Sequence, residues 1–220
     1  AETRLGCRIM QGYGSVDCGG LCATSWEDPP DVRIGSVGRP LEGNEIRIMD
    51  GDGNEVPPGE VGHLWVRGLP SDARFLENRE LNARRRPDGF LDLQEWGRMD
   101  DQGNVYLMGR DQDLIIRGGQ NIFPSDIENL LIRHPKVREA AVVGYPDSEM
   151  GERIAICVVL EAGVSLALGE VIVFLRDQDL APFKRPDRLE VMDRFPRVAS
   201  GDKVDKRALR ESLSWSSLLD

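Results

Sequence analysis

The sequence predicts an α+β protein, in which a β-rich segment shaped as a distorted barrel is followed by a small α/β domain. Two observations lead to this prediction. In residues 1–110, short apolar stretches are closely separated by Gly and Pro, which is typical of short strands and tight turns. Beyond Arg110, apolar residues recur at helical spacing between strand-like runs. We therefore place two domains at residues 1–110 and 111–220.

Strands and turns account for most of the first domain. Ile46 and Ile48 alternate with charged residues, as expected for a strand with one buried face, and residues 51–54 form a turn. Residues 64–66 form a second strand after a Pro-Pro-Gly corner. Residues 105–108 form a third strand, which is entered through an Asp-Gln-Gly-Asn turn.

The second domain begins with an amphipathic helix. Ser125 and Glu128 have the spacing of a capping box, in which a hydroxyl and a carboxylate satisfy the free amides at the start of a helix. Apolar residues at 127, 130 and 131 then form one face. His134 is followed by a proline, which ends the helix.

Strands and helices alternate in the rest of this domain. Residues 140–143 and 154–160 are predicted strands, because both are short and continuously apolar. Leu168 begins a second amphipathic helix, which extends through Leu175. A final short helix begins near Asp205, which is a suitable N-cap residue.

Composition excludes several classes of partner. The 220 residues carry a net charge of −10, and residues 84–86 are the one basic cluster, so we expect neither nucleic acid nor an anionic membrane as a partner. The longest apolar run, residues 154–160, is too short to cross a bilayer. Four cysteines do not form a disulfide scaffold in a chain of this length, and the first residues lack the features of a signal peptide, so we expect a cytoplasmic location.

Two segments imitate metal sites. Cys18 and Cys22 have the spacing of half a zinc site, but no second cysteine pair follows, and we interpret them as small thiols packed beside a turn. Asp50, Asp52 and Asn54 imitate the first ligands of a calcium loop. The glycine and the closing glutamate of such a loop are missing, so we predict a solvated hairpin turn there.

Four motifs carry the functional prediction through their order. They lie at residues 13–17, 109–115, 118–124 and 196–206. In this order they resemble the C-terminal part of the adenylate-forming superfamily, which comprises acyl- and aryl-CoA synthetases, peptide-synthetase adenylation domains and luciferases. Residues 174–188 look most like the aryl-acid AMP ligases. The resemblance covers essentially the whole chain.

The resemblance implies an AMP-forming ligase. Such an enzyme activates a small carboxylic acid, here an aromatic one, with ATP and Mg²⁺, and passes the acyl group to the thiol of CoA or of the phosphopantetheine arm of an acyl or aryl carrier protein. Residues 1–110 would be the β-rich subdomain of the large adenylation domain, and residues 111–220 the mobile lid domain. The N-terminal adenylation half, with its phosphate loop, would be missing from this chain.

The first motif is implied to bind the nucleotide. Tyr13 and Gly14 place an aromatic face beside a residue without a side chain, which suits a planar base. In the family this Tyr stacks on adenine, and the acid here at Asp17 helps to hold Mg²⁺. Val16 stands where the family has a Thr that bonds the α-phosphate, and a valine cannot donate that bond.

The ribose and the phosphates are implied to contact two further residues. Glu95 stands where the family has an Asp that binds the ribose hydroxyls, within Leu-Gln-Glu instead of Thr-Gly-Asp. Taken without the resemblance, Glu95 is a solvated surface acid. Arg110 has the planar donor fork that suits ribose oxygens or phosphate, and its alternative partner is Asp111 or Asp113.

The remaining assignments concern the second domain. Gly118 and Gly119 would line the channel for the pantetheine thiol, and a plain turn is the competing interpretation. Gln112, two residues after the motif Arg, would be the hinge. Lys203 resembles the catalytic lysine, but Asp202 is inserted before it, so Lys206 is the alternative.

A non-catalytic function is the alternative to the ligase. A degenerate homologue could retain the fold and act as an interaction module for a carrier protein or a partner subunit. The departures at Val16, at residues 93–94 and at Asp202 favour it. The sequence leaves open which acid is used, whether CoA or a carrier protein accepts the acyl group, and the oligomeric state.

Overall fold

The computed structural model describes four stretches of the chain, residues 2–15, 18–68, 76–199 and 201–213. Within them lie twelve β-strands and six α-helices, which confirms the predicted α+β class. The chain divides into two compact units, Ala1–Asp111 and Gln112–Asp220, one residue after the boundary predicted from the sequence. None of the described helices is long and apolar enough to cross a bilayer.

Antiparallel strands dominate the first unit. Its elements in chain order are α1 (Glu2–Leu5), β1 (Gly12–Ser15), β2 (Gly19–Ala23), α2 (Pro30–Gly35), β3 (Arg39–Pro40), β4 (Asn44–Met49), β5 (Gly62–Gly68), α3 (Arg79–Ala83), β6 (Leu91–Met99) and β7 (Val105–Arg110). The strands form a sheet in the order β1-β2-β3 and a second sheet in the order β4-β5-β6-β7.

Single hydrogen bonds join these two sheets. The amide of Val37 donates to the carbonyl of Val105, and the amide of Val105 donates to the carbonyl of Gly38, each at 2.9 Å. On the other side, the Asn44 side-chain amide donates to the carbonyl of Gly20 at 2.9 Å. The described strands therefore do not close into one continuous hydrogen-bonded barrel.

The predicted strands of this unit are confirmed, because alternating residues face one core. Ile46 and Ile48 on β4 lie opposite Val66 and Leu64 on β5, and all four side chains are buried. Burying each of these side chains contributes roughly 1.5–3 kcal/mol of hydrophobic stabilisation. Val105 at the start of β7 belongs to the same core.

The second unit is a sheet with helices on both faces. Its elements are β8 (Ile115–Arg117), β9 (Gln120–Ile122), α4 (Pro124–Leu131), β10 (Val137–Asp147), β11 (Gly151–Leu160), α5 (Leu168–Asp177), β12 (Arg188–Val191) and α6 (Lys206–Ser212). The strand order is β10-β11-β8-β9, and β12 pairs with β11 in parallel.

The apolar run in β11 is continuous because both faces of the strand are covered. Ile154, Ile156 and Val158 belong to a core cluster that also contains residues of α4 and α5. The intervening Ala155 and Cys157 belong to a cluster with Leu209 of α6. A strand buried on both faces has no polar side, so the run from 154 to 160 is explained.

The predicted capping box at Ser125 is wrong. Helix α4 begins at Pro124, and its N-cap residue Phe123 makes no side-chain capping bond. A proline at the first helical position has a φ that already suits the helix and no amide to satisfy, so the helix starts one residue before Ser125. The carboxylate of Glu128 instead accepts the amide of Val142 at 2.7 Å. The helix ends at Leu131, before His134.

The start of α6 is as predicted. Asp205 is its N-cap, and the carboxylate accepts the amide of Ala208 at 2.9 Å. The helix then buries Leu209 against β10. An N-cap bond satisfies one of the free amides at the start of the helix, and its loss typically costs about 1 kcal/mol.

We expect Asp205→Ala to lower the free energy of unfolding of the chain by about 1 kcal/mol, because the amide of Ala208 loses its acceptor. Asp205→Asn is the matched control, since asparagine caps helices about as well, and it should unfold like the wild type. Urea denaturation measures both variants. Equal losses for the two variants would show that the charge, and not the cap, matters at this position.

Candidate active site

Three residues of the predicted nucleotide site lie together in the first unit. The hydroxyl of Tyr13 on β1 donates to Glu95 on β6 at 2.6 Å, although 82 residues separate them. The guanidinium of Arg110 on β7 donates to the other carboxylate oxygen of Glu95 at 3.2 Å. Glu95 and Arg110 are directly opposite each other in the β6–β7 ladder. The fold thus assembles a tyrosine, a carboxylate and a guanidinium into one polar cluster.

The carboxylate of Glu95 accepts hydrogen bonds from two side chains, so its interpretation as a solvated surface acid is wrong. Its side chain is only 16% exposed, and each carboxylate oxygen accepts one bond. A carboxylate offers about four acceptor positions. The two that remain can accept the paired hydroxyl groups of a ligand. Arg110 pairs with Glu95 here, and the alternative partners Asp111 and Asp113 are not needed to explain its position.

Tyr13 acts in this cluster as a hydrogen-bond donor. Burial, followed by the hydrogen bond to Glu95, raises the pKa of the Tyr13 hydroxyl far above its ordinary value. The hydroxyl therefore stays protonated at any physiological pH and holds its proton toward the carboxylate. The ring is half-buried against the core of the unit, so its orientation is set by packing as well as by this bond.

Gly14 has a structural reason to be glycine. The β1–β2 ladder shifts register between Tyr13 and Gly14. A Cβ added at Gly14 would lie 2.2 Å from the carbonyl oxygen of Gly19, so no other residue fits this close approach of two backbones. The irregularity lies immediately after Tyr13 in the strand. Gly14 therefore allows the close backbone approach next to Tyr13.

Two other predicted residues of this motif, Val16 and Asp17, lie outside the described residues. Within residues 2–15, 18–68, 76–199 and 201–213, no group of three or more His, Cys, Asp or Glu residues could hold a metal ion. Cys18 and Cys22 are both buried in the core of the first unit. Burial raises the pKa of the Cys22 thiol to about 12, so the thiolate that zinc requires is disfavoured there.

The acidic segment after β4 is a turn, as predicted. One oxygen of Asp50 accepts the amides of Asp52 and Asn54, at 2.9 and 2.8 Å. The amide of Asp50 in turn donates to the carbonyl of Asn54. The carboxylate thus binds the backbone of its own turn, which is the usual role of an aspartate at this position.

Gly118 and Gly119 form the turn between β8 and β9. Both have positive φ angles, 54° and 78°. The amide of Gly118 donates to the carbonyl of Met150 at 2.8 Å, and a Cβ at Gly119 would meet no atom within 4 Å. The backbone of this turn is therefore accessible at Gly119, whereas at Gly118 it is fixed by the hydrogen bond to Met150.

Arg117 anchors the same turn from its N-terminal side. The guanidinium donates to the carbonyl of Arg185 at 2.9 Å and to the carboxylate of Asp187 at 2.8 Å. It also donates to the carbonyl of Phe183 at 3.3 Å. A planar donor fork with three acceptors holds the Gly118–Gly119 turn against the segment before β12.

The structure separates the two candidate lysines. Lys203 is exposed in the loop before α6, where the amide of Val198 donates to the carbonyl of Lys203 at 3.0 Å. Lys206 is the first residue of α6, and its ammonium lies 2.8 Å from Glu128, with only 18% of the side chain exposed. Lys206 is therefore committed to an ion pair within the unit. Of the two lysines, Lys203 is the exposed one.

Two residues that contact Asp111 and Gln112, where the chain divides into units, are not indicated by the sequence. His63 on β5 lies with its Nδ1 atom 3.5 Å from Asp111, and its ring centroid is 4.1 Å from that of Trp96. Arg210 on α6 donates to the carbonyl of Gln112 at 3.1 Å. Neither residue stands in a motif, and both contacts join distant parts of the chain, so no local pattern could have indicated them.

Comparisons with known proteins match both halves of the chain. The family model described as AMP-binding enzyme matches residues 1–70, and the model described as AMP-binding enzyme C-terminal domain matches residues 126–202. The chain therefore carries AMP-binding enzyme domains. Its homologues include aryl-acid AMP ligases, as the resemblance of the motifs predicted, and the chain spans about two fifths of the length of the curated relatives it matches.

Two relatives and one solved structure illustrate the match. The salicylyl-CoA synthase/salicylate adenylyltransferase of a Streptomyces species is 38% identical over 213 residues, covering 96% of this chain and 38% of that protein. The salicyl-AMP ligase/salicyl-S-ArCP synthetase of Mycobacterium tuberculosis is 38% identical over 214 residues, covering 96% and 37%. The amide bond synthetase McbA from Marinactinospora thermotolerans has a TM-score of 0.86 at 32% identity, covering 97% and 44%.

A double-mutant cycle tests the Tyr13–Glu95 contact. We expect Tyr13→Phe and Glu95→Gln to be coupled by about 1–2 kcal/mol in the free energy of unfolding of the chain, because the bond has a charged acceptor. The matched control combines Glu95→Gln with Tyr106→Phe, whose hydroxyl donates to Asp100 at 3.1 Å. That pair should be additive within about 0.5 kcal/mol. Additivity for Tyr13 as well would contradict the geometry of the cluster.

Proposed function

We propose that the chain is the C-terminal portion of an AMP-forming ligase that activates an aryl carboxylic acid and transfers it to a thiol. The single observation that supports this most is the cluster of Tyr13, Glu95 and Arg110, because residues of two motifs that lie far apart in sequence bind the same carboxylate. The names of the two relatives, which both refer to salicylate, support an aryl acid as the substrate. Residues 1–110 would belong to the adenylation domain and residues 111–220 would form the lid domain.

In this proposal the polar cluster binds the nucleoside. The Tyr13 ring stacks on the adenine, and its protonated hydroxyl orients Glu95. Glu95 accepts the two ribose hydroxyls through the oxygen positions left over by Tyr13 and Arg110. Arg110 is more exposed than Glu95, so its free guanidinium nitrogens can donate to ribose or phosphate oxygens. Mg²⁺ would neutralise phosphate charge.

Lys203 would stabilise the adenylation transition state. When the acid carboxylate attacks the α-phosphate of ATP, a bond forms from the carboxylate oxygen to phosphorus and pyrophosphate leaves, so negative charge increases on the transferring group. An ammonium group placed beside the carboxylate and the α-phosphate lowers the energy of this state. The exposed position of Lys203 and the ion pair of Lys206 support the choice of Lys203.

The thiol would use another part of the second unit. In the second half-reaction the thiol sulfur attacks the acyl carbon and AMP leaves. The accessible backbone at Gly119 suits a narrow channel for a pantetheine arm, and Gly118 holds the turn in place. Lys203 and this turn belong to separate loops of the same unit, so we propose that the unit reorients about Gln112 between the two half-reactions.

CoA and a carrier protein both remain acceptors in this proposal. The name of one relative contains CoA and that of the other contains S-ArCP. The non-catalytic interaction module is not favoured, because these relatives carry synthase, ligase or transferase names. The polar cluster also keeps acceptor positions on Glu95 for a ligand, which an interaction module would not need.

The test uses the chain alone and the chain fused in place of the C-terminal part of the salicyl-AMP ligase. We expect the chain alone to give no acid-dependent pyrophosphate exchange, because it lacks a phosphate loop and spans about two fifths of such enzymes. The fusion should exchange pyrophosphate with salicylate and form a thioester with CoA or with the carrier protein. A folded fusion without exchange would contradict the proposal, and comparison of the two thiols identifies the acceptor.

The lysine assignment has its own test in the same fusion. We expect Lys203→Ala to slow adenylation on the order of 10²–10³-fold while thiol transfer from a supplied acyl-adenylate is largely spared. Lys206→Ala is the matched control. Its loss of a partly exposed ion pair should cost no more than about 1 kcal/mol of stability and leave adenylation nearly unchanged. The reverse pattern would assign the catalytic role to Lys206.

A further inference from the structure

The carbonyl group of Gln112 is held by the last turn of α6. The Arg210 guanidinium donates to it at 3.1 Å, across 98 residues of sequence. The helix that carries Arg210 is firmly placed, because Asp205 caps its first turn and Leu209 is fully buried. The backbone at the start of the second unit is thus bound to the helix that follows the Lys203 loop.

The preceding residue, Asp111, contacts a side chain of the first unit. The carboxylate of Asp111 lies 3.5 Å from the ring nitrogen of His63, and both of these atoms are buried. His63 itself is fixed by the β5–β6 ladder and by its ring contact with Trp96. Of the two consecutive residues at which the chain divides, Asp111 therefore contacts a side chain of the first unit, and Gln112 accepts a hydrogen bond from the second unit.

The position of the Arg210 bond limits which dihedral angles can change. The carbonyl of Gln112 belongs to the rigid peptide plane that links residues 112 and 113. Holding its oxygen fixes this plane to the second unit, so the dihedral angles beyond it cannot take part in a reorientation. The φ and ψ angles of Gln112 precede the plane and remain free to change.

We propose that Arg210 is a positioning residue that confines the reorientation of the two units to Gln112. The structural part of this inference stands on the contacts of residues 111 and 112, and its consequence for catalysis rests on the proposed function. Without the Arg210 bond, the peptide plane after Gln112 is released and the pivot spreads to the following residues. The units then sample more relative orientations, and each productive orientation is populated for a smaller fraction of the time.

The first test measures orientation in the full chain without any assay of activity. Spin labels are attached to the exposed Cys7 and to a cysteine introduced by Ser148→Cys, since Cys18, Cys22 and Cys157 are buried. Arg210→Met removes the donors while keeping the length of the side chain and a good helix former. We expect a broader distribution of label distances in this variant than in the wild type.

Two further variants make the result specific. Arg207→Met removes another arginine from the same helix, one that is 89% exposed and pairs with Glu211, and it should leave the distribution unchanged. Arg210→Lys keeps a cationic donor and should broaden the distribution less than Arg210→Met. This variant also serves as the test if Arg210→Met proves unfolded by circular dichroism. Distributions in the Arg210 variants equal to the wild type would overturn the proposal.

The second test uses single-turnover kinetics in the fusion enzyme. Loss of one hydrogen bond with a charged donor should slow both half-reactions about five- to ten-fold, with the KM for ATP unchanged because the nucleotide residues are untouched. Broadened distances in the chain together with an inactive wild-type fusion would support the role of Arg210 and reject the proposed function. Unchanged distances with an active wild-type fusion would reject the role of Arg210 alone.

Discussion

The carboxylate of Glu128 is the contact on which the geometry of the second unit depends. One of its oxygens accepts the amide of Val142 and lies 2.8 Å from the ammonium of Lys206, so a single group joins α4, β10 and α6. The bond to a backbone amide places α4 along the sheet, and the ion pair places the first turn of α6. Because both partners are only partly exposed, the pair is less screened by solvent than a surface salt bridge.

This one contact explains two features that local patterns misrepresent. Glu128 cannot complete a capping box with Ser125, because its carboxylate points to β10 and not back to the start of its own helix. Lys206 is paired with that carboxylate, so its ammonium is less available to a ligand than an unburied lysine in a loop would be. The lysine three residues earlier is left in an exposed loop, and the following helix carries Arg210 to the carbonyl of Gln112.

The two units hold their polar groups in different ways, and the difference matches the proposed division of labour. All three residues of the polar cluster stand on strands. Glu95 and Arg110 are opposite each other in one ladder, and the hydroxyl of Tyr13, on a strand of the other sheet, binds Glu95. Gly119 and Lys203 stand in loops of the second unit, where the backbone or the side chain is accessible. A nucleotide site benefits from a rigid frame, whereas groups that serve successive steps must be able to approach and withdraw.

The sequence alone is sufficient to predict the strands at Ile46 and at residues 154–160, the N-cap at Asp205 and the family. Each of these depends on the order of residues along the chain: the side-chain period, the capping residue or the order of motifs. Partner choice among charged groups is different. A carboxylate such as Glu95 or Glu128 binds whichever donor the fold brings within about 3 Å, and the donors come from strands and helices far away in sequence. Only the tertiary structure could therefore show that Tyr13 binds Glu95, that Lys206 pairs with Glu128 and that Arg210 binds the carbonyl of Gln112.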